Sequence, residues 1–287
     1  MKKIVLGALG LLPIAVFFLY LEGFREAHLH YDVPKELEWQ AENASVEAIL
    51  SQPFTYLDKG SQSYAFVDPT GNIVIKFLKF KHLKPPLLWQ DSPRQKARKE
   101  RKLRQLFDGY KTAFERHKEA SGLLYVHLAK GGDFKKLLEV KGPWGETHFI
   151  DLSQIYFVIQ KRGVSLEAEL SRVLQDKHPE IAEEKILKML GYYLDSYQKG
   201  LFDKDHALLR NTGFQGDEPL HFDVGMLVFD PKFKEPDFYE HDIEKNARAV
   251  AEWLDHAYPG YAKGLTRSME AYLEKRLSRP ITLESRP

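Results

Sequence analysis

The hydrophobic pattern changes character twice along this chain. After Met1-Lys2-Lys3, residues 4–21 read IVLGALGLLPIAVFFLYL, eighteen positions without a charge. An apolar helix of that length spans roughly 27 Å, near the thickness of a bilayer core, whereas a buried helix of a globular domain is normally striped. The pattern predicts a membrane signal-anchor over residues 1–24 and a juxtamembrane region over 25–50. The flank LEGFREAHLHYD offers no small-residue cleavage site, which favours retention of the segment over cleavage. Lys2 and Lys3 place the N-terminus inside, so a single-pass membrane protein with its domain on the non-cytoplasmic side is expected; Arg25 and Lys35 on the other flank oppose that orientation.

From residue 51 the pattern becomes that of a folded domain. FTYLDKGSQSYAFVDPTGNIVIKFLKF alternates apolar and polar positions around turns at Gly60 and at 68–72, which predicts three strands. After Pro85-Pro86, Ser92 and Pro93 suit the N-cap and first turn of a helix running to about residue 120, with Leu103, Phe107, Tyr110 and Phe114 on one stripe. KLLEVKGPWGETHFIDL and IYFVIQKRG add two or three strands, and helical periodicity dominates from Val164 onward. Strands before residue 162 and helices after it predict an α+β chain with two lobes, 51–162 and 163–287.

Charge refines this picture. The 42 Lys+Arg and 41 Asp+Glu leave a net charge of +1, which argues against a surface built for nucleic acid, and none is expected as a partner. The absence of cysteine excludes disulfide scaffolds, thiolate metal sites and thiol nucleophiles. The near-zero sum hides a polarity: residues 59–118 hold 15 basic and 5 acidic side chains, and 200–245 hold 11 acidic and 5 basic ones. Seven of the basic residues lie in 92–104, at the start of the long helix, where cations oppose the helix dipole. A solvated helix face accounts for them; an anionic lipid or an acidic partner is the alternative. His28, His30 and Asp32 could be written as metal ligands, but three such residues beside an apolar segment are more simply incidental.

Four polar features stand out against this background. GSQSYAFV, 60–67, is a small-residue turn between strands. IVIK, 73–76, ends an apolar strand in Lys76, with Lys79 as a competing candidate. GLFDKDHALLRNTGF, 200–214, carries Asp203, Asp205 and Asn211. LHFDVGML, 220–227, places Asp223 before a glycine. Each has an ordinary explanation alone: a strand turn, an outward lysine, a solvated aspartate.

Their order resembles the protein-kinase-like fold, as a divergent bacterial-type kinase or pseudokinase with an N-terminal membrane anchor. The resemblance covers about residues 54–230. It implies a two-lobed α+β fold, preceded here by one transmembrane helix, that binds ATP and Mg2+. Gly60, Ser61, Tyr64 and Ala65 would belong to the nucleotide-covering loop, with Gln62 replacing its second glycine. Lys76 would hold the phosphates, paired with Glu115 in preference to Glu119 on the long helix. Asn211 and Asp223 would be the metal ligands. The family's base lies five residues before the asparagine, where this chain has His206, so Asp205 or Asp203 takes that role. No Ala-Pro-Glu motif follows, which favours a compact, atypical member whose acceptor is a sugar, lipid or small-molecule hydroxyl. Two other readings stay open: a pseudokinase serving as a nucleotide-binding or scaffold module, and a membrane-anchored interaction protein of unrelated fold.

Overall fold

The structure, a computed structural model, describes residues 23–34, 36–83, 91–130 and 136–283. They fall into two compact units, one drawn from 1–95 and 127–159 and the other from 96–126 and 160–287.

The first unit is built on a sheet. Strands β1 (Phe54–Lys59), β2 (Ser63–Val67) and β3 (Ile73–Leu78) form an antiparallel meander. Asp68 closes the second turn by accepting the hydroxyl of Thr70 at 2.6 Å and the N–H groups of Asn72 and Ile73 at 3.0 and 2.9 Å, with Gly71 at φ 77. With β4 (Leu123–His127), β5 (Leu137–Lys141), β6 (Thr147–Asp151) and β7 (Phe157–Lys161), the sheet has seven strands in the order β4-β7-β3-β2-β1-β5-β6. The division between the units falls within β4 and β7.

Partners across a ladder share a face, so register decides what each face of β2 and β3 carries. Tyr64 opposes Phe77 and Phe66 opposes Ile75, and all four are buried. Ala65 opposes Lys76 and Val67 opposes Val74 on the other face, where Ala65, Val67 and Lys76 are only half-buried. The buried face is covered by the segment ahead of β1, which includes the short helix α1 (Glu47–Leu50). Phe24 sets its ring edge-on to Tyr64 and Phe66, each at 5.1 Å, and His28 Nδ1 lies 2.7 Å from the Tyr64 hydroxyl. Phe80 N–H donates to the His28 carbonyl at 2.7 Å, and Leu29 and Trp39 are buried.

Helices dominate the second unit. Nearly all of α2 (Pro93–Arg116) belongs to it. This helix opens on a reciprocal capping box: Gln95 N–H donates to Ser92 Oγ at 3.3 Å, and Ser92 N–H donates to Gln95 Oε1 at 2.8 Å. Its basic first turns are mostly exposed, and its apolar stripe begins only at Leu103. After α3 (Lys118–Ser121) come α4 (Leu166–Gln175), α5 (Pro179–Gln198), α6 (Leu208–Asn211), α7 (Pro236–Ala257) and α8 (Pro259–Leu277). Leu170, Ile186, Met189, Val250, Leu254 and Met269 typify the core that joins α4, α5, α7 and α8. Two small sheets lie alongside. One orders β11 (Glu218–His221), β10 (Thr212–Gln215) and β8 (Val164–Ser165); the other pairs β12 (Leu227–Phe229) with β9 (Leu201–Asp203).

The expectations of a transmembrane helix ahead of the fold and of a single-pass membrane location are corrected here. Among the described residues no helix is long and apolar enough to cross a membrane. The long ones, α2, α5, α7 and α8, have 24, 20, 22 and 19 residues, and each carries charged side chains opposite its buried stripe. Residues 4–21, on which the anchor, the membrane contact and the orientation rested, lie outside the described residues. The α+β class itself agrees with the elements above.

Candidate functional site

The second unit gathers the acidic residues by strand register. Thr212 pairs with His221 across β10 and β11, so residues 211 and 222 leave that hairpin side by side. The Asn211 carbonyl consequently accepts the N–H groups of both Phe222 and Asp223, at 3.0 and 3.2 Å. On its other side Asn211 Nδ2 donates to Asp205 Oδ2 at 2.9 Å. Asn211 is buried, whereas Asp205 and Asp223 are exposed. One buried asparagine thus holds two solvent-facing acids, one through its side chain and one through its backbone.

Asp203, two residues away, has different surroundings. Only 4% exposed, it places Oδ2 3.3 Å from His221 Nε2, and its Oδ1 accepts Asp205 N–H at 3.0 Å. Burial pushes the Asp203 carboxyl up. Contact with His221, the Asp205 N–H and the charge of His206 outweigh burial and hold it below the ordinary carboxylate value. Behind His221 stands His117, its ring edge-on at 6.0 Å and its Nε2 2.5 Å from the Tyr192 hydroxyl. Burial, reinforced by His221 and Lys199, pushes His117 down to about 3.

His206 occupies the position five before Asn211 and has a left-handed backbone, φ 51. Its Nδ1 lies 2.7 Å from Asp242 Oδ1 on α7. The buried Asp242 carboxylate also accepts the Tyr197 hydroxyl and, at 3.1 Å, Asn246 Nδ2. Its pKa is raised, mainly by burial, with Tyr197 and His206 opposing. With its left-handed backbone, His206 turns its side chain to α7 while Asp205 stays on Asn211.

Helix α2 reaches the Asp223 segment at Gly109. A Cβ there would meet the Gly225 and Val224 carbonyl oxygens at 2.6 and 2.7 Å, so only glycine allows this approach. The neighbouring Tyr110 is buried, and burial together with the Asp223 charge raises its hydroxyl pKa. Glu115, two turns on, is exposed and lies 3.8 Å from Lys111 of the same helix.

The first unit holds the remaining candidates. Gly60 and Ser61 are exposed in the short turn between β1 and β2, where Gly60 N–H donates to Ser63 O at 3.0 Å. Tyr64 lies not at the turn's tip but within β2, 3% exposed, beneath Phe24 and His28, and burial raises its pKa. Ala65 and Lys76 are direct cross-strand partners on the half-exposed face. Lys79 lies on the buried side, its Nζ donating to the Gly60 carbonyl and standing 4.6 Å over the Tyr64 ring. His28, His30 and Asp32 take separate partners: Tyr64 at 2.7 Å, Glu26 at 3.6 Å and Lys130 at 3.0 Å.

No protein-family model matches this chain, and no curated protein does. Among solved structures it is similar to a medium-resolution structure of the bifunctional kinase-methyltransferase WbdD, at 16% identity and a TM-score of 0.39, over 79% of this chain and 45% of that one. A co-crystal structure of WbdD with the kinase inhibitor LY294002 gives 13% and 0.41 over 78% of this chain and 46% of that one. A 2.2 Å crystal structure of WbdD gives 15% and 0.43 over 81% and 47%. The chain spans less than half the length of those structures, and likeness at this level assigns no residue a role.

Four residues around the acids escaped the sequence reading. Asp242 and Asn246 sit one turn apart on the stripe that also carries Ile243, Ala247 and Val250, and polar residues at core positions were the available signal. His221 follows the apolar Leu220 at the end of a strand and gave no such signal. Gly109, inside a long helix, was detectable as a residue that weakens helices unless close packing requires it.

Proposed function

We propose that this protein is a kinase-like phosphotransferase that moves the γ-phosphoryl group of Mg·ATP to a sugar or small-molecule hydroxyl. The observation that carries this reading is the hold of Asn211 on Asp205 and Asp223 together. Asp205 serves as base: it is exposed, and its Oδ1 accepts no hydrogen bond among the described residues. It takes the acceptor's proton as the acceptor oxygen bonds to the γ-phosphorus and the bond to the bridging oxygen breaks, releasing ADP. Asp203, buried on His221, supports the loop.

Asn211 and Asp223 would hold Mg2+. With Nδ2 committed to Asp205, the amide of Asn211 keeps an oxygen for a cation, and Asp223 is an exposed carboxylate. Among the described residues no group of three or more His, Cys, Asp or Glu is set to hold a metal. The Asp223 carboxylate and the Asn211 amide oxygen are hard-oxygen donors of the kind Mg2+ takes, with waters and phosphates as its further ligands. When bound, the ion would neutralise charge on the phosphoryl oxygens. On the first unit, taken by itself, Lys76 and the backbone of 60–62 are the groups the kinase-like resemblance assigns to phosphates.

A second reading has a specific observation behind it. His206 stands five residues before Asn211 and is tied to Asp242, which fits a pseudokinase that binds nucleotide without transferring phosphate. Thermal unfolding with and without Mg·ATP, coupled to an ADP-release assay over a panel of sugars, separates the two. A shift with ADP release supports the transferase, and a shift without it supports the pseudokinase.

A further inference from the structure

The turn at 60–62 is anchored from below by one residue. Lys79 follows β3, two positions after Phe77, and so lies on the buried face, opposite to Lys76. It is 4% exposed, its Nζ donates to the Gly60 carbonyl, and its own N–H donates to the Gln62 carbonyl at 2.8 Å. Both carbonyls flanking Ser61 are therefore engaged by the same lysine.

This has a consequence for the amides. In a planar trans peptide the N–H of one residue points opposite to the C=O of the residue before it. With the Gly60 carbonyl drawn toward Lys79, the Ser61 N–H is directed away from the buried face, toward the side that carries Ala65 and Lys76. The N–H groups of Ser61 and Gln62 meet no acceptor among the described residues. Successive open backbone N–H groups in a turn form an anion-binding concavity.

We infer that Lys79 is a positioning residue for phosphate recognition, holding the Gly60 peptide so that the Ser61 N–H, beside the open Gln62 N–H, stays turned to the phosphate oxygens of a nucleotide. The inference rests on the nucleotide reading above and adds which residue arms the turn. The surroundings of Lys79 agree with it. Burial, then the like charges of Lys81 and Lys59, push Lys79 down to about 8 against the opposing pull of Asp58. Among the described residues the ammonium has no carboxylate within ion-pair distance; a peptide carbonyl and the Tyr64 ring hold it. Tyr64 is in turn fixed by His28 and Phe24, so the segment ahead of β1 braces the turn through this lysine.

The test compares ligands that differ only in phosphates. Binding of ATP, ADP and adenosine to the full chain, with Mg2+, is measured by calorimetry for wild type, Lys79→Met, Lys79→Arg and Ser61→Pro. Lys79→Met is expected to weaken ATP and ADP by about tenfold or more, the scale of a lost hydrogen bond to a charged group, and to leave adenosine within about twofold. Lys79→Arg, which keeps a cationic donor, should recover part of the ATP affinity. Ser61→Pro removes one N–H at an exposed position and should give the same phosphate-selective loss; it carries the test if Lys79→Met does not fold. Equal ATP affinity in Ser61→Pro and the wild type, or a loss in Lys79→Met that is the same for adenosine as for ATP, would overturn the inference. A wild type that binds neither ATP nor adenosine overturns the nucleotide reading and the inference together.

Discussion

Asn211 donates its side-chain amide to Asp205 Oδ2 at 2.9 Å, across the loop in which His206 turns left-handed. The bond separates two acids that the sequence offers on equal terms. Asp205 is left at the surface with one oxygen oriented, while Asp203 is drawn inward to His221. The two should fail differently when replaced. Asp205→Asn is expected to cut phosphate transfer by about 10²–10⁴-fold, the usual contribution of a general base, with unfolding temperature and ATP affinity little changed.

Asp203→Ala should act on stability instead. Removing the buried carboxylate leaves the Asp205 N–H without its acceptor and the buried His221 ring without its polar neighbour, at a cost of about 1–3 kcal/mol. Urea unfolding checks this: the midpoint should fall sharply for Asp203→Ala, while Asp205→Asn, which keeps an oxygen for Asn211 Nδ2, stays near wild type. Similar midpoints for the two variants would contradict the assignment of support to Asp203 and chemistry to Asp205.

Gly109→Ala tests the contact between α2 and the Asp223 segment. The new methyl would lie 2.6 Å from the Gly225 carbonyl oxygen, and overpacking of this kind costs about 1–3 kcal/mol. Gly264→Ala on α8, where a Cβ meets nothing within 4 Å, is the control and should be neutral or stabilising by up to about 1 kcal/mol. The Gly109 variant should also lose part of its stabilisation by Mg·ATP, because the carbonyls it displaces belong to the loop that follows Asp223.

Acid should unfold this protein earlier than its carboxylates alone would. Burial pushes His117 and His127 from the ordinary 6.5 down to about 3 and about 4, so both are neutral in the folded state near pH 5, whereas the unfolded chain binds their protons. A histidine whose folded pKa is depressed contributes stability above pH 6.5 that is lost as pH falls toward its folded value. Asp203, held below the ordinary 3.8, adds a further loss at still lower pH. Unfolding free energy measured from pH 7.5 to 4 should decline from about pH 6.5 downward. His117→Asn should flatten that decline by about one proton's worth of slope.

Legibility in the sequence followed the range of the interactions. The meander over 54–78 was readable because alternation and the turn at 68–72 are local, and so was the helix start at Ser92 and Pro93. The spacing of Asn211 and Asp223 was readable as a short hairpin for the same reason. What the sequence left open depends on contacts between distant residues. Asp203 and Asp205 look alike until His221 claims one of them, and Lys79 competes with Lys76 until Gly60, nineteen residues earlier, receives its ammonium. The kinase-like resemblance puts Tyr64 in the nucleotide-covering loop, yet Phe24 and His28 bury it within β2. The apolar run at 4–21 drew an inference about location that no described helix supports.

The central claim is that Asn211 and Asp223 hold the metal of a bound Mg·ATP, and thermal unfolding with nucleotide tests it most directly. The account expects millimolar Mg·ATP to raise the unfolding temperature of the wild type, with little shift from ATP in EDTA. It expects Asp223→Asn to abolish the Mg2+-dependent part while the unliganded variant melts near the wild-type temperature. No Mg·ATP shift in the wild type, or an equal shift in Asp223→Asn, would contradict it.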